Sequence, residues 1–319
     1  MKKWAISLLL GLVLTGTSFA AAASGKEALK AGKMDEAIAL LRATIKEHAN
    51  DAEAWHLLSR AYLALERWDD AVKAAEKAVA LEPNNSDYHL WLGRAYGNKA
   101  EHAPFWTAWG MAKRVRMEFE KAVAINANNV DAMSDLAEFY IEAPSILGGG
   151  KDKATRQAEL IAQHDQAAAH WVRGRIAETN KELESAEKEY TAGVQASNSA
   201  GAWLDLASFY RRSGEKAKME AAVSKAVAAE KKKQGALYDA ALVLYRGGRN
   251  FAMAAGLLRN YLKNPDNDEA PSFKAHYLLG QILEKQGDRS GAATEYEAAL
   301  ALAHDFEDAQ TALKRVRGQ

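Results

Sequence analysis

Eight histidines are the residues in this sequence best suited to metal binding or to acid–base chemistry near neutral pH. The chain has no cysteine, which excludes thiol catalysis and thiolate metal sites. No His-Glu-x-x-His or His-x-His pair occurs, so no spacing places two histidine ligands together. We therefore predict no metal site and no cofactor, and we interpret His89, His170 and His276 as partly buried packing residues.

A glycine run, Gly148, Gly149 and Gly150 followed by Lys151, invites comparison with phosphate-binding loops. Such a loop needs a glycine, four residues and then Gly-Lys-Ser/Thr after a strand. Here Ser145 and Asp152 stand at the places of the first glycine and of the hydroxyl residue, which excludes that motif. Two alternatives stay open: a flexible connection, or backbone N–H groups that hold an anion at the start of the next helix.

Three aromatic residues, Phe105, Trp106 and Trp109, are concentrated in the short stretch HAPFWTAWG. Either their rings pack an additional helical turn onto adjacent elements, or they form a patch that binds a partner. The second alternative rests on the frequent use of aromatic side chains as interface anchors. Carbohydrate binding by Trp106 and Trp109 is a further possibility.

The elements that must position these residues are predicted to be helices. Alanine is abundant, proline occurs five times, and no alternating Val/Ile-rich run appears. Residues 52–85 contain two apolar patterns of helical period, the first built from large residues and the second from small ones ended by proline. The positions are Trp55, Leu58, Tyr62, Ala71, Ala75, Ala78 and Pro83.

This stretch resembles the tetratricopeptide repeat, a helix–turn–helix unit of about 34 residues. Ser59 replaces the usual glycine, and Ala75 replaces the usual aromatic residue. The resemblance implies an all-α, right-handed solenoid of stacked helix pairs whose first helices line a concave groove. Each repeat is then expected to bury its apolar face only against its neighbours.

The pattern recurs along nearly the whole chain and predicts one solenoid domain over 24–319, closed by a C-terminal capping helix over 306–317. The approximate repeats are 24–51, 52–85, 86–129, 130–166, 167–200, 201–234, 235–268 and 273–305.

The regular spacing is interrupted twice. About ten residues are inserted within 97–111, and a smaller insertion falls at 143–150. Because these repeats are consecutive, we expect the two insertions to lie near each other. The stretch 133–162 also resembles a group of exported bacterial tetratricopeptide proteins that share an Ala-Pro…Gly-Gly…Lys-Ala loop.

The resemblance also implies which side chains face the groove. Guanidinium groups in a cleft would favour a carboxylate or an acidic peptide, unless the arginines are simply solvated. The Lys and Asn pair of the family's chaperone-tail binders is absent, since His56 and Arg60 occupy those places. The predicted groove residues are His56, Arg60, Arg94, Glu138, Trp171, Arg175, Arg211 and Arg246.

The N-terminus is typical of a secretory signal peptide. Lys2 and Lys3 precede an apolar stretch over 4–14, and small residues follow over 19–23. We predict a signal peptide over 1–23; an uncleaved anchor is the alternative, although the second half of the segment is too polar for a good span. A cysteine-free exported chain that cannot be a lipoprotein fits a bacterial periplasm.

These features predict a non-enzymatic periplasmic scaffold or adaptor. It would bind a protein or peptide partner through the groove or the aromatic insertion, because the repeats leave no catalytic set of residues. The balance of 42 basic and 42 acidic residues favours neither a nucleic acid nor a membrane surface as partner. Alternatives are a structural part of an envelope-biogenesis assembly and an enzyme using Glu138, Glu142 and His102, for which no acid–base geometry is evident.

Overall fold

The computed structural model describes residues 23–229, 235–265 and 270–318. This part of the chain contains α-helices and one short 3-10 helix but no strand, so the predicted all-α solenoid is confirmed. None of its helices is long and apolar enough to cross a membrane. The predicted signal peptide lies, up to residue 22, outside the described residues.

The described helices form eight pairs followed by a single last helix. The first helices are α1 (23–30), α3 (Ala52–Ala64), α5 (Ser86–Glu101), α7 (Val130–Glu142), α9 (Gln166–Thr179), α11 (Ala200–Arg212), α13 (Gly235–Arg246) and α15 (Ser272–Lys285). The second helices are α2 (Met34–Glu47), α4 (Trp68–Leu81), α6 (Phe105–Ile125), α8 (Lys151–Ile161), α10 (Leu183–Ser197), α12 (Lys216–Ala229), α14 (Phe251–Tyr261) and α16 (Arg289–Leu302). The last helix is α17 (Glu307–Arg317), and the 3-10 helix is Ser145–Leu147.

Side-chain caps begin several of the first helices and reveal the repeat spacing. The side-chain oxygens of Asp51, Asn85 and Asn129 accept hydrogen bonds from backbone N–H groups in the first turns of α3, α5 and α7. Each cap satisfies a donor that a helix start would otherwise leave unpaired. Asp51 and Asn85 are 34 residues apart, whereas Asn85 and Asn129 are 44 apart. The third pair therefore carries ten additional residues, which lengthen α5 and α6.

Close packing within a pair depends on a small residue in the first helix. A Cβ atom on Gly93 would lie 2.4 Å from the ring of Phe119, so the ring fills space that only glycine leaves free. In the second pair the aromatic residue is replaced by Ala75, and Ser59 occupies the glycine place. The Ser59 hydroxyl donates to the carbonyl oxygen of Ala71 at 2.8 Å. A buried hydrogen bond therefore accounts for this departure from the repeat pattern.

The first helices form the inner layer of the array. Successive first helices contact one another: α3 with α5, α5 with α7, α7 with α9, α9 with α11, and α11 with α13. The second helices pack against the outside of this layer. Side chains on the first helices consequently line the concave side.

The two ends of the array contact each other, at a junction that we call the seam: residues 28–35 against residues 272–274 and 303–309. The Ser272 hydroxyl donates to the carbonyl oxygen of Ala31 at 3.0 Å. Phe306 is 2% exposed and belongs to the same apolar core as Leu29. The first and last pairs therefore share one core despite their separation along the chain.

The backbone at residue 32 allows this close approach. Gly32 has a φ of +71°, which favours glycine, and a Cβ there would lie 2.3 Å from the backbone nitrogen of Ser272. The backbone N–H of His304 also donates to Asp35 Oδ2 at 3.0 Å. The expectation that each repeat buries its apolar face only against its neighbours is therefore wrong, because the curvature of the array brings its ends together.

Candidate functional site

The predicted groove arginines of the second and third pairs flank one tryptophan. The guanidinium carbons of Arg60 and Arg94 lie 4.3 Å and 4.9 Å from the ring centroid of Trp91. Arg94 Nε also donates to Asp135 Oδ2 at 2.6 Å. Cation–π contacts with Trp91 and an ion pair with Asp135 therefore already engage these two guanidinium groups. An acidic ligand would have to compete with these contacts.

Arg175 is engaged still more completely. Its Nη2 lies 2.8 Å from Glu138 and 2.5 Å from Glu142, and its Nη1 lies 3.3 Å from Glu178. Burial alone would lower the pKa of Arg175, but Glu138, Tyr190 and Glu178 together raise it above its usual value. Arg212 adds a further bond to Glu178 at 2.6 Å. Glu138 and Glu142, which were considered as an alternative acid–base set, thus belong to an ion-pair network.

Two other predicted groove residues contribute mainly to the core. His56 is 9% exposed and stacks on Tyr88 with ring centroids 4.8 Å apart. Burial, assisted by Arg60, lowers the pKa of His56 to about 3, so its ring is neutral at pH 7. Tyr88 therefore covers His56 and leaves little of its surface for a groove ligand. Trp171 is half-buried and packs against two apolar clusters.

The remaining groove arginines line a cavity of 260 Å³ between α11 and α13. Arg211 and Arg246 share it with Asp205 and Asp239. Burial raises the pKa of Asp205 to about 7, Asp239 acts in the same direction, and Arg212 opposes both. This part of the groove therefore combines charges of both signs, not the uniformly cationic surface that the arginines predicted.

We expect Asp205→Asn to remove a pH-dependent loss of stability. The raised pKa means that the folded state binds the proton more tightly than the unfolded state does. The resulting contribution of Asp205 to the free energy of unfolding is fully present below about pH 4 and is lost as the pH rises through about 7. Over that range the free energy of unfolding should fall by about 2 kcal/mol more in the wild type than in Asp205→Asn. We expect no larger effect because water reaches part of the side chain. Urea unfolding at both ends of the range measures it; Asp152→Asn, on the exposed first turn of α8, should follow the wild type.

Three histidines at equivalent repeat positions pair with a glutamate on the second helix of the same pair. The Nδ1···Oε2 distances are 2.6 Å for His89 and Glu118, 2.8 Å for His170 and Glu189, and 2.7 Å for His276 and Glu295. The first pair is buried, and the other two are partly exposed. No group of three potential metal ligands occurs among the described residues. All three histidines are buried or partly buried, as the sequence predicted.

The aromatic insertion forms the tip of the longest helix pair. Phe105 and Trp106 begin α6 and are 77% and 78% exposed. Trp109 is half-buried and meets Phe105 edge-on, with ring centroids 6.1 Å apart. The alternative in which these rings pack onto adjacent repeats is therefore wrong for Phe105 and Trp106. We call these three residues the aromatic tip.

A cavity of 860 Å³ lies beside the aromatic tip and next to the seam, and we call it the seam cavity. Three separate segments line it: the turn over 65–70, the end of α5 over 99–103, and residues 305–310 at the start of α17. His102 stacks on Trp68 in this wall, with ring centroids 4.9 Å apart. Its Nδ1 atom lies 2.8 Å from the carbonyl oxygen of Asn98. His102 therefore contributes to a wall of the cavity and directly follows α5, whereas Glu138 and Glu142, with which it was grouped, lie on α7.

Carboxylates outnumber cations around the seam cavity. Arg67 pairs with Asp70 at 2.5 Å and contacts Asp305 at 3.6 Å. Lys99 pairs with Asp69 at 2.6 Å. The six lining carboxylates are Glu66, Asp69, Asp70, Asp305, Glu307 and Asp308, against the two cations Arg67 and Lys99.

The glycine run forms an ordered turn whose N–H groups point into the protein. The backbone N–H groups of Gly148, Gly149 and Gly150 donate to the carbonyl oxygens of Ser145, Pro144 and Tyr140 at 2.9, 3.2 and 2.8 Å. The glycines consequently cannot offer these donors to an anion. This turn also contacts α6, since Arg116 lies against Gly148. The second insertion therefore packs against α6 at a residue beyond the first insertion, which ends at residue 111.

Models of the tetratricopeptide repeat match residues 28–95 and 273–306. The chain is a tetratricopeptide repeat protein, as its helix pairs and their spacing also indicate. Proteins of this family in general bind protein partners. No narrower identity follows from these matches.

The curated proteins include two distant relatives, both named protein O-mannosyl-transferase TMTC3. The human protein is 23% identical over 276 residues, which cover 85% of this chain and 30% of that protein. The mouse protein is 23% identical over 268 residues, which cover 82% and 29%. The chain thus spans less than a third of the length of these relatives.

Solved structures are similar to this chain at low sequence identity. Yeast Tom70 is 16% identical with a TM-score of 0.54, over 89% of this chain and 58% of that chain. A thermophilic tetratricopeptide repeat protein of Thermus thermophilus is 18% identical with a TM-score of 0.47, over 57% and 92%. The likeness to Tom70 supports the fold of the chain and nothing more specific.

Sequence reasoning missed two components of these surfaces. Trp91, which lies between Arg60 and Arg94, could have been noticed as an additional large aromatic residue on α5. The contribution of 305–310 to the seam cavity has no comparable signal, because it depends on contact between the two ends of the chain.

Proposed function

We propose that this protein is a non-enzymatic scaffold that holds a protein partner at the aromatic tip. We propose, from the basic and apolar N-terminal sequence alone, that the protein is located in the periplasm. Cell fractionation with compartment markers tests that location. The distant relation to O-mannosyl-transferases does not carry an enzymatic activity to this chain, because it spans so little of those proteins.

The observation that supports the tip as the binding site is the exposure of two large rings side by side. Phe105 and Trp106 present 77% and 78% of their surface to solvent. Such residues contribute large amounts of apolar area when a partner covers them, and they lose little conformational entropy.

The groove is a weaker candidate for the main contact. Arg94 and Arg175 are neutralised by Asp135 and by three glutamates, so an acidic partner would have to displace existing ion pairs. Exposed aromatic surface needs no such displacement. The tip is therefore the surface that a partner covers most readily.

Replacing both exposed rings is expected to weaken partner binding strongly while leaving the fold intact. A photo-crosslinking residue at Trp106 should capture the partner in cells, and the purified partner should bind Phe105→Ala/Trp106→Ala at least about tenfold more weakly than wild type. Removal of such exposed side chains should change the free energy of unfolding by no more than about 0.5 kcal/mol.

Leu183 provides a matched control, since it is also an exposed apolar residue but lies on α10. Crosslinking from position 183 and the variant Leu183→Ala should leave capture and affinity unchanged. Equal capture from both positions, or full affinity in the double alanine variant, would rule out the tip as the binding site. Binding of a glycan in place of a protein, seen as a change in tryptophan fluorescence on glycan titration, would also contradict the proposal.

A further inference from the structure

We infer that the seam cavity receives a cationic, partly apolar segment of the partner whose remaining surface covers the aromatic tip. This inference rests on the proposed function and adds the chemistry of the bound segment. It differs from the sequence-based expectation, in which groove arginines would select an acidic peptide.

The cavity wall and the tip are adjacent along the chain. His102 and Ala103 line the cavity, and Phe105 and Trp106 follow directly after Pro104. A volume of 860 Å³ is large enough for several side chains, in the range found for ligand pockets. A segment that entered the cavity would therefore pass beside the exposed rings.

The charge around the cavity favours a cation. Arg67 and Lys99 are already paired with aspartates. Glu307 and Asp308 are exposed, and neither forms an ion pair with another described residue within 4 Å. A lysine or arginine entering the cavity would meet this excess of negative charge, whereas an acidic segment would be repelled.

The walls suit the apolar part of such a segment. Trp68 stacks on His102 and leaves an aromatic surface beside the carboxylates. Lysine and arginine side chains can lay their methylene groups along such a surface while the charged end reaches a carboxylate. Apolar residues between the cations would then contact Phe105 and Trp106. One segment of mixed character therefore satisfies both parts of the surface.

The test uses the full chain and two fluorescein-labelled peptides, one of alternating lysine and leucine and one of alternating glutamate and leucine. We expect the lysine peptide to bind and the glutamate peptide not to bind, with an affinity that falls as salt is added. Glu307→Gln/Asp308→Asn should weaken binding about fivefold or more, since two charge contacts are lost. Asp152→Asn/Glu159→Gln removes the same charge from exposed positions on α8 and should change affinity less than about twofold.

Equal binding of the two peptides, or an equal loss in the two double variants, would show only unspecific attraction and would overturn the inference. A fluorescence change of the tip with vesicles of anionic phosphatidylglycerol, without binding of the lysine peptide, would also overturn it and identify a membrane contact. If the captured partner still requires Phe105 and Trp106 but binds Glu307→Gln/Asp308→Asn normally, the inference fails while the proposed function stands.

Discussion

Phe306→Ala is expected to lower the free energy of unfolding by about 3–5 kcal/mol. Phe306 is 2% exposed, and its ring meets Phe273 and Tyr277 edge-on, each with ring centroids 5.1 Å apart. Its removal leaves a cavity in the core that joins the first pair to the last. Because each repeat otherwise depends on its neighbours, loss of this contact also frees the first pair to unfold separately.

Chemical unfolding followed by circular dichroism measures the first effect, and amide hydrogen exchange measures the second. Exchange over residues 34–47 of α2 should accelerate in Phe306→Ala, although these residues are far from the substitution in sequence. Phe105→Ala is the matched control, since the same ring is removed from a position that is 77% exposed. It should leave the free energy of unfolding within about 0.5 kcal/mol of wild type. Unchanged protection of α2 in Phe306→Ala would mean that the seam does not stabilise the first pair.

Glu118→Ala is expected to lower the free energy of unfolding by about 3 kcal/mol, because it leaves the buried His89 without its partner. His89 and Glu118 are 6% and 7% exposed. His89 Nε2 lies 3.0 Å from the carbonyl oxygen of Pro83, which can only accept, so Nε2 carries a proton. Nδ1 faces the carboxyl group at 2.6 Å and loses this hydrogen bond in the variant.

The equivalent pair at the other end of the array gives the control. His276 and Glu295 have nearly the same Nδ1···Oε2 distance, but their side chains are 24% and 22% exposed, whereas Glu118 is buried and also lies 3.5 Å from Arg114. Water can replace the missing partner there, so Glu295→Ala should cost less than about 1 kcal/mol. Glu118→Gln should lower the free energy of unfolding less than Glu118→Ala does, because the glutamine amide can donate a hydrogen bond to His89 Nδ1. Equal costs for Glu118→Ala and Glu295→Ala would show that burial does not set the strength of this pair.

Much of the local structure could be predicted from the sequence. Capping residues such as Asp51 and Asn85, apolar residues at helical spacing, and a small residue opposite each bulky ring specify helix pairs without reference to distant contacts. The size of the third pair's insertion also follows from spacing. The partial burial of the paired histidines could be predicted too, because they occupy a repeat position where a large residue packs.

The candidate sites were less predictable, since they depend on which side chains meet across repeats. Arg175 could be assigned to the inner layer from its place in the repeat, but its ion pairs with Glu138 and Glu142 come from another helix pair. His56 occupies a place that the family turns to the groove, yet Tyr88 of the next pair covers it. Repeat position alone therefore does not determine the exposure or the charge of a groove residue.

The sequence by itself determined the helices, their pairing and the two places where the repeat spacing breaks, because these depend on residues within one or two turns of each other. Only the tertiary structure decided that the aromatic tip is exposed and that the two ends meet. The curvature of the array is a sum of small rotations between successive pairs, and no single motif encodes that sum. Contact between Phe306 and the first pair, and the acidic cavity beside it, follow from this accumulated geometry.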